Sequence, residues 1–455
     1  MGIKKVYNSK QGQWFRKLLG ISKGEVLPTP HELRIVRVTS KSMLRDFVEY
    51  PVRLYKGSPY YCPPLIDGDM DTLTKGKNPN LEHCDYVCYL AYRGDRIVGR
   101  IAGIINHNCN ERWHQNRARF GFFDFEDDEE VVDALMDAVR KWANDYACDE
   151  LVGPLGFTDM DREGMLIEGF NQVATFIENY NYPYYPKHME RLGFEKDVDW
   201  LGFRIIPPHT VPERYRKGAD LVRRRYNLEA FFIHDRKRLV EEYADDIFDL
   251  FNRTYSNLYG ASVLTKAETQ QLIDTFLPLI NTDLIGLVRQ VSDGKLVGFG
   301  VAMPSITKAL QRSQGKLWPF GFIPILKALK SRKAEVMDLM LIAVDPEYQG
   351  KGLIALIFDL MIPVVQQYGV RFLESNLELE HNVHVQVQWN FFRKIHHKTH
   401  RCYVTPLTER GEELAKRRRE KRAREEAQRD EDQPNRLLMP RTSVEEMKKY
   451  EGENR

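Results

Sequence analysis

The stretch Val344-Asp345-Pro346-Glu347-Tyr348-Gln349-Gly350-Lys351-Gly352-Leu353 has residue types suited to holding an anion. An apolar run, Val336–Val344, precedes it, and an apolar helical pattern to about Tyr368 follows. A strand that turns through glycines into a helix aims backbone N–H groups at the helix N-terminus, where the macrodipole also favours negative charge. Gly350 and Gly352 would let the backbone approach a pyrophosphate with no Cβ in the way, and Lys351 would add charge. The spacing is not that of a Walker P-loop, and two glycines do not make a dinucleotide fingerprint. Taken alone, such a turn is more often a tight strand-to-helix connection than a binding site. Histidines 381, 384, 396, 397 and 400 are close in sequence and raise a metal as an alternative, but they read more simply as exposed helix-end side chains. His83, Cys84 and Cys88 lack a second ligand pair and read as strand side chains, so no metal is expected.

A phosphate-holding turn needs strands and helices to position it, and the sequence supplies them twice. Residues 87–92 alternate, Arg93-Gly94-Asp95 turns, and 96–105 form a second strand. Residues 284–291, Ser292-Asp293-Gly294 and 295–303 repeat the signal. A short strand precedes each hairpin, at 33–38 and at 228–233. Helical stretches lie between, one from Lys41 with Ser40 as N-cap, others at 235–255 and 266–279. A strand, a helix and a further strand follow each hairpin. Pro207, Pro208 and Pro212 interrupt the chain between the halves, and 213–225 reads as a helical linker. The expectation is a mixed α/β (α+β) fold used twice, at residues 31–206 and 228–407, joined by 207–227. A basic amphipathic segment, 1–30, precedes the first copy, and a charged tail, 408–455, follows the second as a solvated helix or disorder.

At 455 residues, the chain is long enough for two or three cores, and 42% hydrophobic content argues against disorder overall. No apolar run is long enough to cross a bilayer, no secretory signal is evident, and six unpaired cysteines fit a reducing cytoplasm. The net charge of +2 hides blocks. Residues 1–24 hold six Lys/Arg and no acid, with Trp14, Phe15, Leu18 and Leu19 among them; residues 304–334 hold seven Lys/Arg and no acid around an apolar stretch from Leu317 to Leu326. Residues 124–133 instead hold seven carboxylates. The basic run 416–424 raises nucleic acid as a partner, but mixed-charge runs are usually solvated faces.

Gln349, Gly350 and Gly352, placed after a strand and before a helix, resemble motif A of the GNAT acyl-CoA N-acyltransferases. Ile354 departs from the motif's final Gly/Ala. Asn382 matches an asparagine that many members place near the pantetheine arm, and Trp389 stands where many carry a tyrosine as general acid. In the first half, Glu190–Lys196 resembles the family's helix-to-strand ending, but 119–125 runs into Glu126-Asp127-Asp128-Glu129-Glu130 where the phosphate loop would be. Carboxylates at a helix N-terminus satisfy its dipole and repel a pyrophosphate. The resemblance spans about residues 33–406. It includes Glu168-Gly169-Phe170, residues 180–186, Asn252-Arg253-Thr254-Tyr255 and residues 315–321, which are similar to the bacterial tandem-GNAT group called YghO-like and to bacterial ceramide synthases.

The resemblance implies two tandem GNAT-like domains with mixed central sheets, only the second binding CoA. It implies an acyl-CoA-dependent N-acyltransferase whose co-substrate is acyl-CoA or acetyl-CoA and whose acceptor is a small-molecule or lipid amine, of sphingoid type. The alternatives are an N-acetyltransferase for a small amine or protein lysine, and a non-catalytic acyl-CoA-binding protein. Family precedent implies cofactor contacts at Ile342, Ala343, Val344, Gln349, Gly350, Lys351, Gly352, Leu353, Ile354 and Asn382. Glu380 is the first choice for the base that takes the amine proton, Asp338 the second, and Tyr403 a substitute general acid. The 318–326 insert reads either as a loop packing on the core or as a lid or interfacial segment. With the N-terminal segment, the second reading implies peripheral association at the inner face of the cytoplasmic membrane.

Overall fold

The computed structural model describes residues 32–432. Its fourteen strands are β1 (Leu33–Arg37), β2 (Cys84–Arg93), β3 (Arg96–Asn106), β4 (Arg117–Phe125), β5 (Glu150–Gly153), β6 (Met165–Glu168), β7 (Glu195–Ile206), β8 (Leu228–Phe232), β9 (Ile285–Gln290), β10 (Leu296–Pro304), β11 (Val336–Val344), β12 (Phe372–Ser375), β13 (Glu378–Leu379) and β14 (Arg393–Pro406). Both hairpins, β2–β3 and β9–β10, form across the turns expected, and the helix Lys41–Leu54 starts on Ser40, whose hydroxyl accepts from Met43 N. Glu213–Tyr226 is the expected connecting helix. The 1–30 segment lies outside the described residues.

All strands join one mixed sheet in the order β1-β2-β3-β4-β5-β14-β7-β12-β11-β10-β9-β8, with β6 on β14 and β13 on β7. Read inward from either edge, five strands repeat the same pattern. Among the described residues, the parallel contacts are β4–β5 and β11–β12. Past that point the copies exchange strands. β14, from the second half, pairs with β5 of the first, and β7, from the first half, pairs with β12 of the second. β7 and β14 then pair with each other over the longest register in the sheet, Arg393↔Ile206 to Val404↔Glu195. Two mixed-sheet copies are therefore present, and neither completes its own sheet.

One packing device appears in both copies. The helix Glu129–Asp145 lies on β3 where Gly99 leaves room: a Cβ there would sit 2.7 Å from Leu135 Cδ1. The helix Ile354–Gln367 lies on β10 where Gly298 does the same, 2.7 Å from Leu353 Cδ2. Such approaches hold the helix that follows the fourth strand tight against the sheet, which fixes where its N-terminus points. The helix Glu409–Asp432 runs on from β14; Gly411 and Ala415 face the core, and Arg418 pairs with Glu150 and Asp197. Among the described residues, no helix is long and apolar enough to cross a membrane.

Candidate active site

β11 delivers the chain to the glycine turn. Asp345, buried at its end, accepts from Glu347 N and is ion-paired with Arg253 and Lys295; burial opposes its charge, but Arg253 and the amide hold the carboxyl below the usual range. Gly350 and Gly352 both take positive φ, +73° and +83°, a region that disfavours any side chain. The helix Ile354–Gln367 begins with no side-chain cap. Lys351, Ala355 and Leu356 donate within the turn, whereas the N–H groups of Gly350, Gly352, Leu353 and Ile354 have no acceptor among the described residues. Four open donors at a helix N-terminus suit a phosphate. Lys351 is exposed, with its ammonium 5.7 Å and 5.6 Å above the rings of Tyr226 and Tyr348.

The equivalent turn of the first copy is closed. Asp128 caps the helix Glu129–Asp145, accepting from Glu130 N and Val131 N, and Arg93 pairs with both Asp128 and Glu130 at 2.7 Å. Above the turn, Tyr184 donates to Phe125 O (2.7 Å), Tyr185 accepts from Phe125 N (3.0 Å), and the Tyr185 ring stacks on Phe125 at 4.1 Å. The end of β4 is thus filled by protein.

In the second copy the sheet forks instead. β11 pairs with β12 only from Val336↔Phe372 to Leu339↔Ser375, then continues to Val344 beside β10 alone. A register shift against β10 leaves Met340 as an extra residue, and its carbonyl accepts from Asn376 Nδ2 at the crotch of the fork. Beyond it, the Tyr255 hydroxyl donates to Ile342 O (2.9 Å) and accepts from Ile342 N (3.2 Å).

Behind the fork lies a cavity of about 380 Å³. Its walls are mostly apolar and come from the helices Arg236–Tyr255 and Lys266–Phe276, from β11 and from the helix Ile354–Gln367. Glu378 lies on the wall, 7% exposed; Trp389 Nε1 donates to its Oε1 at 2.6 Å, and Oε2 has no partner. Burial pushes the Glu378 carboxyl up to about 7 against the pull of Trp389 and Lys394. The first copy also reaches this wall, through Asp159, Asp161 and Glu163.

No protein-family model matches the chain. It is similar to Protein YghO of Escherichia coli (strain K12), 28% identical over 341 residues that cover 75% of this chain and 86% of that one. It is also similar to a bacterial ceramide synthase of Caulobacter vibrioides (strain NA1000 / CB15N), 25% identical over 390 residues, 83% of this chain and 99% of that one. Both alignments are too long to fit within one copy. The similarity to both relatives therefore runs through the two copies. Among solved structures it is similar to a tandem GNAT protein from the clavulanic acid biosynthesis pathway, at 13% identity and a TM-score of 0.48, covering 83% of this chain and 99% of that one.

The fold distributes the sequence-predicted residues unevenly. Gln349, Gly350, Lys351, Gly352, Leu353 and Ile354 all lie on the open turn, with Gln349 Nε2 on Val344 O and the Leu353 side chain buried beneath. Ile342 and Asn382 line the cavity, whereas Ala343 packs into the core beneath β10. Glu380 is turned away: it pairs with Lys196 at 2.6 Å and accepts from Asp199 N, and it is not on the cavity wall. Asp338 lies on the fork strand but off that wall; burial beside Glu374 raises its carboxyl to about 8 against the pull of Ser305. Tyr403 is buried in the first copy's core, its phenol pushed up to about 12 by burial, far from the open turn along the sheet order.

The histidines correct an expectation. His396, His397 and His400 are not at an exposed helix end; they lie on β14, in the middle of the sheet, and His397 and His400 are buried. His397 pairs with Glu374 at 2.8 Å, and His400 Nε2 meets Asn179 O. Lys398, between them and 1% exposed, pairs with Glu178. Against its burial, His397, Lys398 and Arg204 hold Glu374 well below the usual range. This is an internal ion network of the exchanged strands. Among the described residues, no group of three or more His, Cys, Asp or Glu side chains is placed to hold a metal.

Glu378, Tyr255 and the three first-copy carboxylates were not read from the sequence as site residues. Glu378 had a signal, an acidic residue on the strand that ends at Asn382. Asp159 and Glu163 had none, because only the tertiary fold brings them to the second copy.

Proposed function

We propose that the second copy transfers an acyl group from an acyl-CoA thioester to a primary amine, and that this amine is a long-chain lipid amine. The observation that carries the reading is the order of features along one stretch of chain: β11 lines the apolar cavity through 339–342, parts from β12 at the fork, and leads into the turn with the open amides of Gly350, Gly352, Leu353 and Ile354. The open N–H groups and Lys351 fit the pyrophosphate of CoA, and Ile342, Val344 and Asn382 would border its pantetheine arm. In the reaction, the amine nitrogen attacks the thioester carbonyl, the C–S bond breaks, and the products are an amide and free CoA thiol. CoA supplies the activated carbonyl and the leaving group.

The chain's own part is to position the amine and remove a proton from it. Glu378 acts as the base: a carboxyl near 7 is close to half ionised at neutral pH and faces the cavity with a free oxygen. Trp389 orients it through the indole hydrogen bond. The first copy binds no CoA, since Asp128, Tyr184 and Tyr185 fill the equivalent place.

A lipid acceptor is supported by the apolar wall and by the name of the Caulobacter relative, a ceramide synthase. An outer feature agrees. Trp318 and Phe320 are 75% and 71% exposed, beside exposed Lys316, Lys327, Lys330 and Lys333, a combination suited to an anionic membrane surface.

The test is transfer by the purified full chain with palmitoyl-CoA or acetyl-CoA and, as acceptors, a long-chain amino alcohol, a short alkylamine and a lysine peptide. Thiol release and product mass are the readouts. The N-palmitoylated long-chain product is expected, with W318A/F320A slowing transfer on anionic vesicles but not in detergent. Acetylation of the peptide or small amine alone would overturn the lipid reading, and no transfer to any acceptor would overturn the enzyme reading.

A further inference from the structure

The cavity behind the fork is apolar over most of its wall, yet it carries four carboxylates and no lysine, arginine or histidine among the described residues. Asp159, Asp161 and Glu163 come from the first copy and Glu378 from the second. Asp161 is spoken for: its Oδ2 accepts from Phe157 N (2.7 Å) and Thr158 N (3.1 Å), which shapes the loop. The other three each keep one oxygen uncommitted. Asp159 Oδ1, Glu163 Oε1 and Glu378 Oε2 are shielded from solvent and have no hydrogen-bond partner.

The nearby cation is committed elsewhere. Arg119 lies behind the first-copy loop and acts on Asp159 and Glu163, but its hydrogen bonds go to the carbonyls of Gly156, Phe157 and Gly260. Lys394, which acts on Glu378, donates to Gln386 O and Asn390 Oδ1. One marker joins the two sides: the Tyr255 hydroxyl, seated on Ile342 at the fork, feels both Asp159 and Glu378. Free carboxylates in an apolar cavity are costly unless a positive partner completes them. Burial raises Asp159 to about 6 and Glu163 well above its usual value, the response of acids that lack such a partner.

We propose that this cavity binds a long-chain primary ammonium, its alkyl chain on the apolar wall and its charge among Asp159 and Glu163 of the first copy and Glu378 of the second. The acceptor site is then composite. The copy without a phosphate turn supplies the anionic half of amine recognition, and the strand exchange between β7 and β14 locks the two halves together. A cationic amphiphile satisfies both wall and carboxylates; an alcohol of equal length satisfies only the wall, and a carboxylate is repelled.

The assignment rests on the amine-acceptor reading above, so its test uses binding without turnover. Octylamine, 1-octanol and octanoate are titrated calorimetrically into the full chain, its D159N/E163Q variant and its D159N single variant. Octylamine is expected to bind wild type about tenfold or more tighter than 1-octanol, with the preference reduced in D159N and falling to within about twofold in D159N/E163Q. Circular dichroism and acyl-CoA affinity, both expected unchanged, show that the variants are folded. Equal affinity for amine and alcohol in wild type, or an amine preference that survives in folded D159N/E163Q, would overturn the site. A chain that prefers octylamine but never acylates an amine defeats the enzyme reading and keeps the site. A chain that acylates amines without this preference does the reverse.

Discussion

The ends of β4 and β11 are the same place in two copies of one fold. Both strands have parallel contact with the next strand for a few residues, then leave it, and both lead into a helix packed on a strand glycine. At β4 the gap is closed: Tyr184 and Tyr185 take both backbone groups of Phe125, and Asp128 takes the helix amides below. At β11 a single hydroxyl, Tyr255, bridges Ile342, the helix amides stay open, and a cavity lies behind. The fork itself is therefore common to both copies and does not set them apart. What fills it does, and a handful of side chains decides that.

The contrast breaks most completely at Gly352. With φ at +83° and an open amide beside it, Gly352→Asp adds backbone strain, bulk and a like charge where phosphate is expected. Acyl-CoA affinity by calorimetry should fall at least about a hundredfold with little change in secondary structure. Binding within a few-fold of wild type would refute the open turn as the phosphate site.

Next in size is the contrast between neighbouring carboxylates. Glu378→Gln is expected to lower kcat by about 10²–10⁴ and leave acyl-CoA affinity intact, whereas Glu380→Gln, which removes the partly exposed ion pair with Lys196 and touches nothing on the cavity wall, should stay within a few-fold of wild type. The pH profile separates base from scaffold. Glu378 titrates near 7, so wild-type kcat should rise with pH through that value and flatten, and Glu378→Gln should lose the rise. The linkage sign gives an independent check. A carboxyl raised by folding is stabilised in its protonated form, so its contribution to stability is lost as pH climbs from its unfolded value to about 7. Glu378→Gln should remove that loss, and an unchanged stability-against-pH curve would contradict the burial argument.

Local chemistry was legible in the sequence where it was written within a few residues. The Arg93-Gly94-Asp95 and Ser292-Asp293-Gly294 turns, the Ser40 cap and the glycine turn between β11 and its helix all depend on neighbours along the chain, and all take the local structure read for them. The β7–β14 exchange was not legible, because hydrophobic alternation specifies a strand and not its partner, and either last strand fits beside either fifth strand. The histidines were misread for the same cause: a polar run suggests exposure, but β14 sits mid-sheet, where Glu374 and Lys398 accompany them. Glu380 reads as the base from its place at the end of a strand, ahead of Asp338, and nothing local in the sequence singles out Glu378 over it. The break at Asn376 and Leu377 separates β12 from β13 and directs Glu378 to Trp389, while Glu380 meets Lys196. The carboxylates of the first-copy loop reach the cavity only through the completed sheet.

The smallest effect tests the closed side. Asp128 serves its helix and Arg93 and touches nothing of the cavity. Asp128→Ala should therefore lower unfolding free energy by about 1 kcal/mol, the usual worth of an N-cap, and leave acyl-CoA affinity unchanged. Arg93 and two backbone amides outweigh the burial penalty and hold the Asp128 carboxyl below its ordinary range. A lowered folded value means the stabilisation is present in full above the unfolded pKa and fades as pH falls through the folded one. The urea midpoints of wild type and Asp128→Ala should accordingly differ at neutral pH and converge on strong acidification. If Asp128→Ala instead created a second acyl-CoA site, the cap alone would have been keeping the first copy silent. If it did not, the aromatic plug of Tyr184 and Tyr185 on Phe125 would be the stronger barrier, as expected from a filled fork in which the cap closes only the phosphate end.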